Sequence, residues 1–302
     1  MSKQGQFMEE ELKSQPETWS QALDMVDQRE LLPRRGKRVA VVGCGTSYFI
    51  AQSYAALREM SRYGETDAYT GTEVKTNRNY DAYVVISRSG TTTEILDLLK
   101  KVKNDQPSTL TVALIGDMGS PAPELADRTV DLHFADEKSV VQTRFATTAL
   151  MFLRSSIQNE TVLRKAVDQA REVLSQQPDS TLVNAEQYSF LGRNWVTGLA
   201  TEAALKMRES SQAWTESYNS MEYRHGPIAI AAEGRVTWVF DQAPDGLAEQ
   251  VKQTGATFVE DASIDPIVHL VRLHQVALAT SRERGLDADK PRHLTRSVIL
   301  NK

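Results

Sequence analysis

Arg38-Val-Ala-Val-Val-Gly-Cys-Gly-Thr-Ser47 decides the fold. An unbroken apolar run ends in two glycines and passes directly into a helical pattern from Ser47 to Arg62. A strand without a polar face is buried on both sides, the mark of a parallel sheet covered by helices. Outward from this unit, further strands read at Asp67 to Val74, Ala82 to Ser87, Leu110 to Ile115 and Val130 to Phe134, with a helix at Thr92 to Lys103. Short apolar strands alternating with helices predict an α/β fold with a doubly wound parallel sheet.

The pattern then repeats. Beyond a helical spacer at Ser139 to Gln176 and a polar break at Gln177-Pro-Asp-Ser180, a strand at Tyr188 to Gly192 enters a helix containing Glu202. Strands at Arg235 to Asp241 and Thr257 to Asp261 follow, with a helix near Gly246 to Thr254 between them and a last helix at Pro266 to Arg284. Gly43 to Ala55 and Leu191 to Leu205 therefore read as related strand-glycine-helix units, although every doubly wound domain contains such turns. An amphipathic stretch, Phe7 to Met25, precedes the first unit.

Composition narrows the class. The 302 residues are 40% hydrophobic and 25% charged, enough for one large or two medium cores. Thirty-five basic and forty acidic residues give a formal charge of −5, without a Lys/Arg run suited to nucleic acid or anionic lipid. No secretory leader pattern or long apolar run occurs, so a cytoplasmic protein with neither nucleic-acid nor membrane partners is expected. The single cysteine, Cys44, excludes an intramolecular disulfide, and five scattered histidines show no metal-ligand spacing. Neither a metal nor a cofactor is expected.

Two loops are suited to an anion. Gly43-Cys-Gly-Thr-Ser47 and Ser87-Arg-Ser-Gly-Thr-Thr92 each lie between a strand and a helix, offering backbone N–H groups, hydroxyls and a helix dipole. Ser and Thr are also ordinary helix caps, but two such loops at strand ends of one sheet point to a phosphate in the switch-point crevice. Neither fits a Walker loop or a dinucleotide fingerprint, so a small phosphorylated metabolite is expected rather than a nucleotide. Cys44 reads as a small buried thiol more readily than as a nucleophile.

A third constellation carries charge. In Glu202-Ala-Ala-Leu-Lys-Met-Arg-Glu209, Glu202, Lys206 and Glu209 fall on one helical stripe while the rest of the helix is largely apolar. Alone, such a stripe is usually a solvated salt bridge. The following Glu222-Tyr-Arg-His-Gly-Pro227 sets His225 on a turn, and a carboxylate, an ammonium and an imidazole together suit acid/base chemistry.

Taken in order, Gly-Cys-Gly-Thr-Ser, Ser-x-Ser-Gly-x-Thr, Glu-x-x-Leu-Lys-x-x-Glu, Glu-x-x-His-Gly-Pro and the ending Asp-x-Asp-x-Pro-Arg-x-Leu resemble the sugar isomerase (SIS) domain family over Val39 to Val298. The resemblance is strongest to the isomerase half of glucosamine-6-phosphate synthase and to stand-alone amino-sugar-phosphate deaminases and deglycases. It implies two SIS subdomains, each a five-stranded parallel sheet with flanking helices, in a homodimer with shared active sites. The expected boundaries are 1–30 for an N-terminal helical segment, 31–177 and 178–285 for the subdomains, and 286–302 for a tail. By the same resemblance, Thr46, Ser47, Ser87, Arg88, Ser89, Thr92 and Arg296 would bind the phosphosugar, and Val140, in Ser139-Val-Val-Gln-Thr-Arg144, would offer backbone contacts. Glu209 would be the base moving a proton between C1 and C2, flanked by Lys206 and Glu202, while His225 would open the ring from the neighbouring subunit.

Three departures shape the expected reaction. The synthase's glutaminase domain is missing, so this chain is not expected to release ammonia from glutamine itself. Arg88 replaces a glutamine, adding a cation for the phosphate. Arg296 replaces the lysine that forms a Schiff base in the synthase, and an arginine stays protonated. Either Lys206 or Lys302 substitutes for it, or the reaction proceeds without an enzyme imine. The resemblance thus implies an amino-sugar-phosphate or fructosamine-6-phosphate deaminase, deglycase or isomerase. A simple aldose-ketose phosphate isomerase and a non-catalytic phosphosugar sensor are the alternatives.

Overall fold

The computed structural model describes residues 4–300. Its first sheet holds five strands, β1 (Val39–Gly43), β2 (Thr66–Thr70), β3 (Ala82–Ser87), β4 (Leu110–Ile115) and β5 (Arg128–Asp131), in the order β2-β1-β3-β4-β5. The second holds four, β6 (Gln187–Gly192), β7 (Trp214–Asn219), β8 (Arg235–Val239) and β9 (Thr257–Val259), in the order β7-β6-β8-β9. Every strand pair is parallel. Each order reverses direction beside its first-formed strand, which opens a crevice at the carboxyl ends of β1 and β3 and of β6 and β8. The second sheet has one strand fewer than the family resemblance implies. After β9 the polar segment Glu260-Asp-Ala-Ser-Ile-Asp265 leads straight into a helix, whose first turn Asp265 caps by accepting the Ile267 N–H at 3.1 Å.

The helices, in chain order, are α1 (Gln6–Lys13), α2 (Gln15–Asp24), α3 (Thr46–Met60), α4 (Thr93–Asp105), α5 (Ala122–Leu125), α6 (Arg144–Ser155), α7 (Glu160–Leu174), α8 (Ser180–Val183), α9 (Val196–Ser211), α10 (Leu247–Gln253) and α11 (Pro266–Glu283). The expected spacer helix is two helices, α6 and α7, preceded by an irregular loop at 136–143. The expected amphipathic start is likewise two helices, and Met8, Leu12, Trp19 and Leu23 sink from them into a core shared by both sheets. That continuous core fixes the first sheet against the second, mainly through α3, α6, α9 and α11.

The contact between α3 and α9 positions the site. A Cβ added at Gly198 of α9 would stand 2.3 Å from Ser53 Oγ and 2.5 Å from the Phe49 carbonyl oxygen of α3. Only a residue without a side chain lets the two backbones come this close. The helices run antiparallel here, so one turn along α9 from Gly198 brings Glu202 beside the first residue of α3, Thr46.

Candidate active site

Glu202, Lys206 and Glu209 stand on the stripe expected of them, but the stripe is dry. Lys206 is fully buried, Glu202 is 1% exposed and Glu209 is 20% exposed at the outer end. Lys206 Nζ lies 3.5 Å from Glu202 Oε1 and donates to Glu209 Oε2. Burial pushes the Glu202 carboxyl up to about 8, against the pull of Lys206 and the neighbouring Thr46 hydroxyl. Neither Glu202 oxygen has a well-aligned donor, leaving buried acceptor capacity at the junction with the first sheet. For Lys206, burial works to lower the ammonium's pKa, but Glu202 and Glu209 outweigh it and hold the group above its ordinary value. It is a fixed cation. Behind it, burial pushes His274 down to about 3, so a neutral imidazole backs the ammonium.

The Gly43–Ser47 turn places Thr46 and Ser47 at the first turn of α3, both nearly buried. Gly43 is obligatory there, because an added Cβ would meet the Ser47 carbonyl carbon at 2.4 Å. No hydrogen bond holds the Ser47 hydroxyl among the described residues, and the α3 dipole points its positive end at the same place. In the second loop Gly90 takes a left-handed φ of 59° and donates its N–H to Ser87 Oγ at 3.1 Å, while Thr91 N–H donates to Ser89 Oγ at 3.3 Å. Both serine hydroxyls accept these bonds with oxygen and keep a proton to donate outward.

Arg88 is held by three backbone carbonyls. Its Nη1 donates to the carbonyls of Ser139, at 2.8 Å, and Val140, at 3.3 Å, and its Nη2 to that of Arg296 at 2.9 Å. Glu137 Oε2 lies 3.7 Å away. The guanidinium joins the second hydroxyl loop, the 136–143 loop and the tail, while its Nε has no partner among the described residues. Val140 is likewise engaged: its N–H donates to the Asp289 carbonyl at 3.2 Å, leaving only the carbonyl with a spare lone pair.

The tail residues quoted from the sequence make contacts that their spacing does not reveal. Asp287 and Asp289 cap α1, accepting the N–H groups of Gly5, Phe7 and Met8 at 2.9, 2.9 and 2.8 Å. Arg296 pairs with Asp136 at 2.5 Å and donates to the Glu137 carbonyl. Ser297 Oγ accepts from Thr91 Oγ1 at 3.0 Å and lies 3.4 Å from Thr92 Oγ1. The hydroxyl loop and the tail are thus one assembly. Sequence reasoning missed two acids at the base of the 136–143 loop, Glu11 and Glu137. Glu11 accepts from the N–H groups of Lys138 and Ser139, and burial together with the Glu137 charge pushes it up to about 7. Lys302 lies outside the described residues.

His225 is not brought to this stripe within one chain. It sits exposed on the turn after β7, its N–H donating to the Glu222 carbonyl at 2.9 Å. Glu209 precedes β7 and His225 follows it, so the length of that strand, about 17 Å, separates them. The other end of the first sheet holds a larger cavity of about 560 Å³ lined by Pro33, Lys37, Asp81 and Arg128. It opens at the amino ends of the strands, away from the hydroxyl loops. No helix among the described residues is long and apolar enough to cross a membrane.

Comparison with known proteins agrees with this layout. Residues 34–157 match the SIS domain. The glutamine–fructose-6-phosphate aminotransferase (isomerizing) of Treponema pallidum is 25% identical, covering 90% of this chain and 53% of that protein. Its counterpart in Xylella fastidiosa is 28% identical, covering 97% and 59%. The chain therefore spans little more than half the length of these curated relatives. Among solved structures, glucosamine-6-phosphate deaminase from Thermotoga maritima superposes with a TM-score of 0.82 at 23% identity, over 97% of this chain and 99% of that one. The C-terminal domain of glucosamine-fructose-6-phosphate aminotransferase from Francisella tularensis gives 0.76 at 21% identity, over 94% and 98%. At such identities the superpositions establish a shared fold. The family match thus covers the first sheet, and relatives whose names carry the isomerizing aminotransferase activity align with this chain across nearly its whole length.

Proposed function

We propose that this chain is an enzyme of phosphosugar metabolism that moves a proton between C1 and C2 of an amino-sugar or fructosamine 6-phosphate and releases the amine. The observation that carries the reading is the dry Glu202–Lys206–Glu209 stripe, whose only partly exposed member, Glu209, is backed by a fixed ammonium. A carboxylate so placed can take a proton from carbon while Lys206 stabilises the charge that develops nearby. The hydroxyl loops at the Thr46 end would hold the phosphate. The names of the deaminase and aminotransferase relatives point to the same substrate class.

The chemistry balances without an enzyme imine. Glu209 removes the proton from one of the two carbons and returns it to the other, converting the substrate's own C–N bond to an imine. Water adds to that imine, its oxygen becomes the carbonyl oxygen, and nitrogen leaves with the protons as the amine. Lys206, buried and held protonated beside Glu202 and Glu209, is a poor nucleophile, which favours this route over a relocated Schiff base. His225 would act from a second copy of the chain, since β7 separates it from Glu209 of its own. Mixing Glu209→Gln with His225→Ala subunits should then restore activity in heterodimers, and exchanged dimers that stay dead would contradict the shared site.

The assay for the whole reading measures ammonia and amino-acid release across a panel of amino-sugar and fructosamine 6-phosphates. Release from at least one, lost in Glu209→Gln, is expected. Aldose-ketose interconversion of plain sugar phosphates without any amine release would replace this reading with that of a simple isomerase.

A further inference from the structure

Past Glu209 the α9 stripe runs out into an open cavity of about 400 Å³, lined by Leu205, Arg208, Glu209, Gln212, Arg292 and His293 among others. Arg208 and Arg292 bring two permanent positive charges to it, His293 a third that depends on protonation, and Glu209 is the sole acid in its wall. Arg208 is tethered through Nη1 to the Thr215 hydroxyl at 3.0 Å, which leaves its other nitrogens unengaged. Arg292 and His293 are exposed and make no hydrogen bond or ion pair among the described residues. His293 takes a left-handed φ of 62°, a region in which histidine is enriched among non-glycine residues.

The order along α9 gives this cavity its meaning. Thr46, at the phosphate-type loop, lies beside Glu202, and Glu209 stands seven residues further, about 10 Å along the helix. A six-carbon open chain anchored by its phosphate at the first end would present C1 and C2 to Glu209 at the second. Anything attached to nitrogen at those carbons would then project beyond Glu209.

We propose that the cavity is a carboxylate subsite, in which Arg292, with Arg208 and His293, receives the acid group of an amino acid carried on the sugar's nitrogen. The substrate class is then the conjugate of an α-amino acid with a ketose 6-phosphate, rather than an amino sugar with a bare amine. The inference rests on the amino-sugar-phosphate reading for the identity of the ligand, but it is tested by binding alone.

Titration calorimetry of the whole chain with fructosyl-glycine 6-phosphate and with its glycinamide counterpart compares a carboxylate with a neutral group of the same shape. The expected preference for the carboxylate is about tenfold or more, the range of a charge-assisted hydrogen bond. Arg292→Gln should bring the ratio close to one, and because Arg292 is exposed and unpaired this variant keeps the fold. Equal affinities in the parent, a ratio unchanged by Arg292→Gln, or no measurable affinity for either ligand would each overturn the subsite. Amine release is read separately: a carboxylate preference without turnover would strike the enzymatic reading and leave the subsite standing, whereas turnover without preference would strike the subsite alone.

Discussion

The two strand-glycine-helix turns, one in each sheet, share a backbone and differ in chemistry. At Gly43 an added Cβ would meet Ser47 at 2.4 Å, and at Gly192 it would meet Val196 at 2.6 Å, in both cases the residue four positions on. Two residues past each glycine the chain takes a positive φ, 54° at Gly45 and 52° at Asn194. The helix that follows begins with Thr46 and Ser47 in the first half but with Val196 after Trp195 in the second. The adjoining strand ends differ too. β3 runs into Ser87-Arg88-Ser89-Gly90, whereas β8 is followed by Asp241, whose Oδ2 accepts the Arg193 N–H at 3.0 Å. Burial pushes that carboxyl up to about 6. The second turn thus carries its own acid where the first offers hydroxyls to an outside anion. Under the proposed function, one geometry would cradle a phosphate in the first half and in the second launches the helix that carries Glu202, Lys206 and Glu209.

The comparison breaks most sharply if the strand end after β3 is given an acid like the one that follows β8. Ser89→Asp sets a carboxylate against the incoming phosphate, and like charges juxtaposed cost several kcal/mol, so KM for a sugar 6-phosphate should rise by about 10²-fold or more. A KM within threefold of the parent would remove the loop from the site. Next in size is the joint between the halves. Gly198→Leu forces α9 off α3, with an expected loss of about 1–3 kcal/mol in urea unfolding and a fall in kcat as Glu209 moves away from the phosphate loops. Unchanged stability would mean that the close approach carries no weight.

A gentler change sharpens the same contrast. Ser89→Ala removes one donor to the phosphate, which is held alike in ground and transition states, so KM should rise about tenfold with little change in kcat. Equal loss in both parameters would assign Ser89 to the chemistry instead. The smallest effect concerns Glu202. Between its ordinary pKa of 4.5 and its folded value of about 8, the native state holds a proton that the unfolded chain has released. Its contribution to stability is therefore complete below about pH 4.5 and is lost as pH rises through 8. Glu202→Gln should flatten that decline by less than the 1.4 kcal/mol per pH unit that a single proton allows. An unchanged slope in urea melts at pH 5, 6, 7 and 8 would show the carboxyl ionised throughout.

Most of the first sheet was legible because β1, β3 and β4 are apolar runs buried on both faces. β7 was not. Trp-Thr-Glu-Ser-Tyr-Asn is polar because it lies at a sheet edge with one face open, and nothing local distinguishes it from a loop. The stripe on α9 was legible from helical spacing alone. Its dryness was not, since that depends on α3 and α11 packing over it. The partners of Arg88 were hidden for a related reason: the carbonyls that take up its guanidinium lie 51, 52 and 208 residues away. Residues 139–143 were read as the start of the helical spacer, whereas Glu11, Arg88 and Asp289, all distant in sequence, hold them in an open loop.

The central claim is that Glu209 moves a proton between C1 and C2 of a substrate bearing its own nitrogen. Incubation of the parent and of Glu209→Gln with glucosamine 6-phosphate and fructosyl-glycine 6-phosphate in D2O, followed by NMR of the C1 and C2 positions, measures that step directly. Deuterium should enter one of these positions with the parent and do so about 10²- to 10⁴-fold more slowly with the variant. Exchange by Glu209→Gln at the parent's rate, or none by the parent with either sugar, would contradict it.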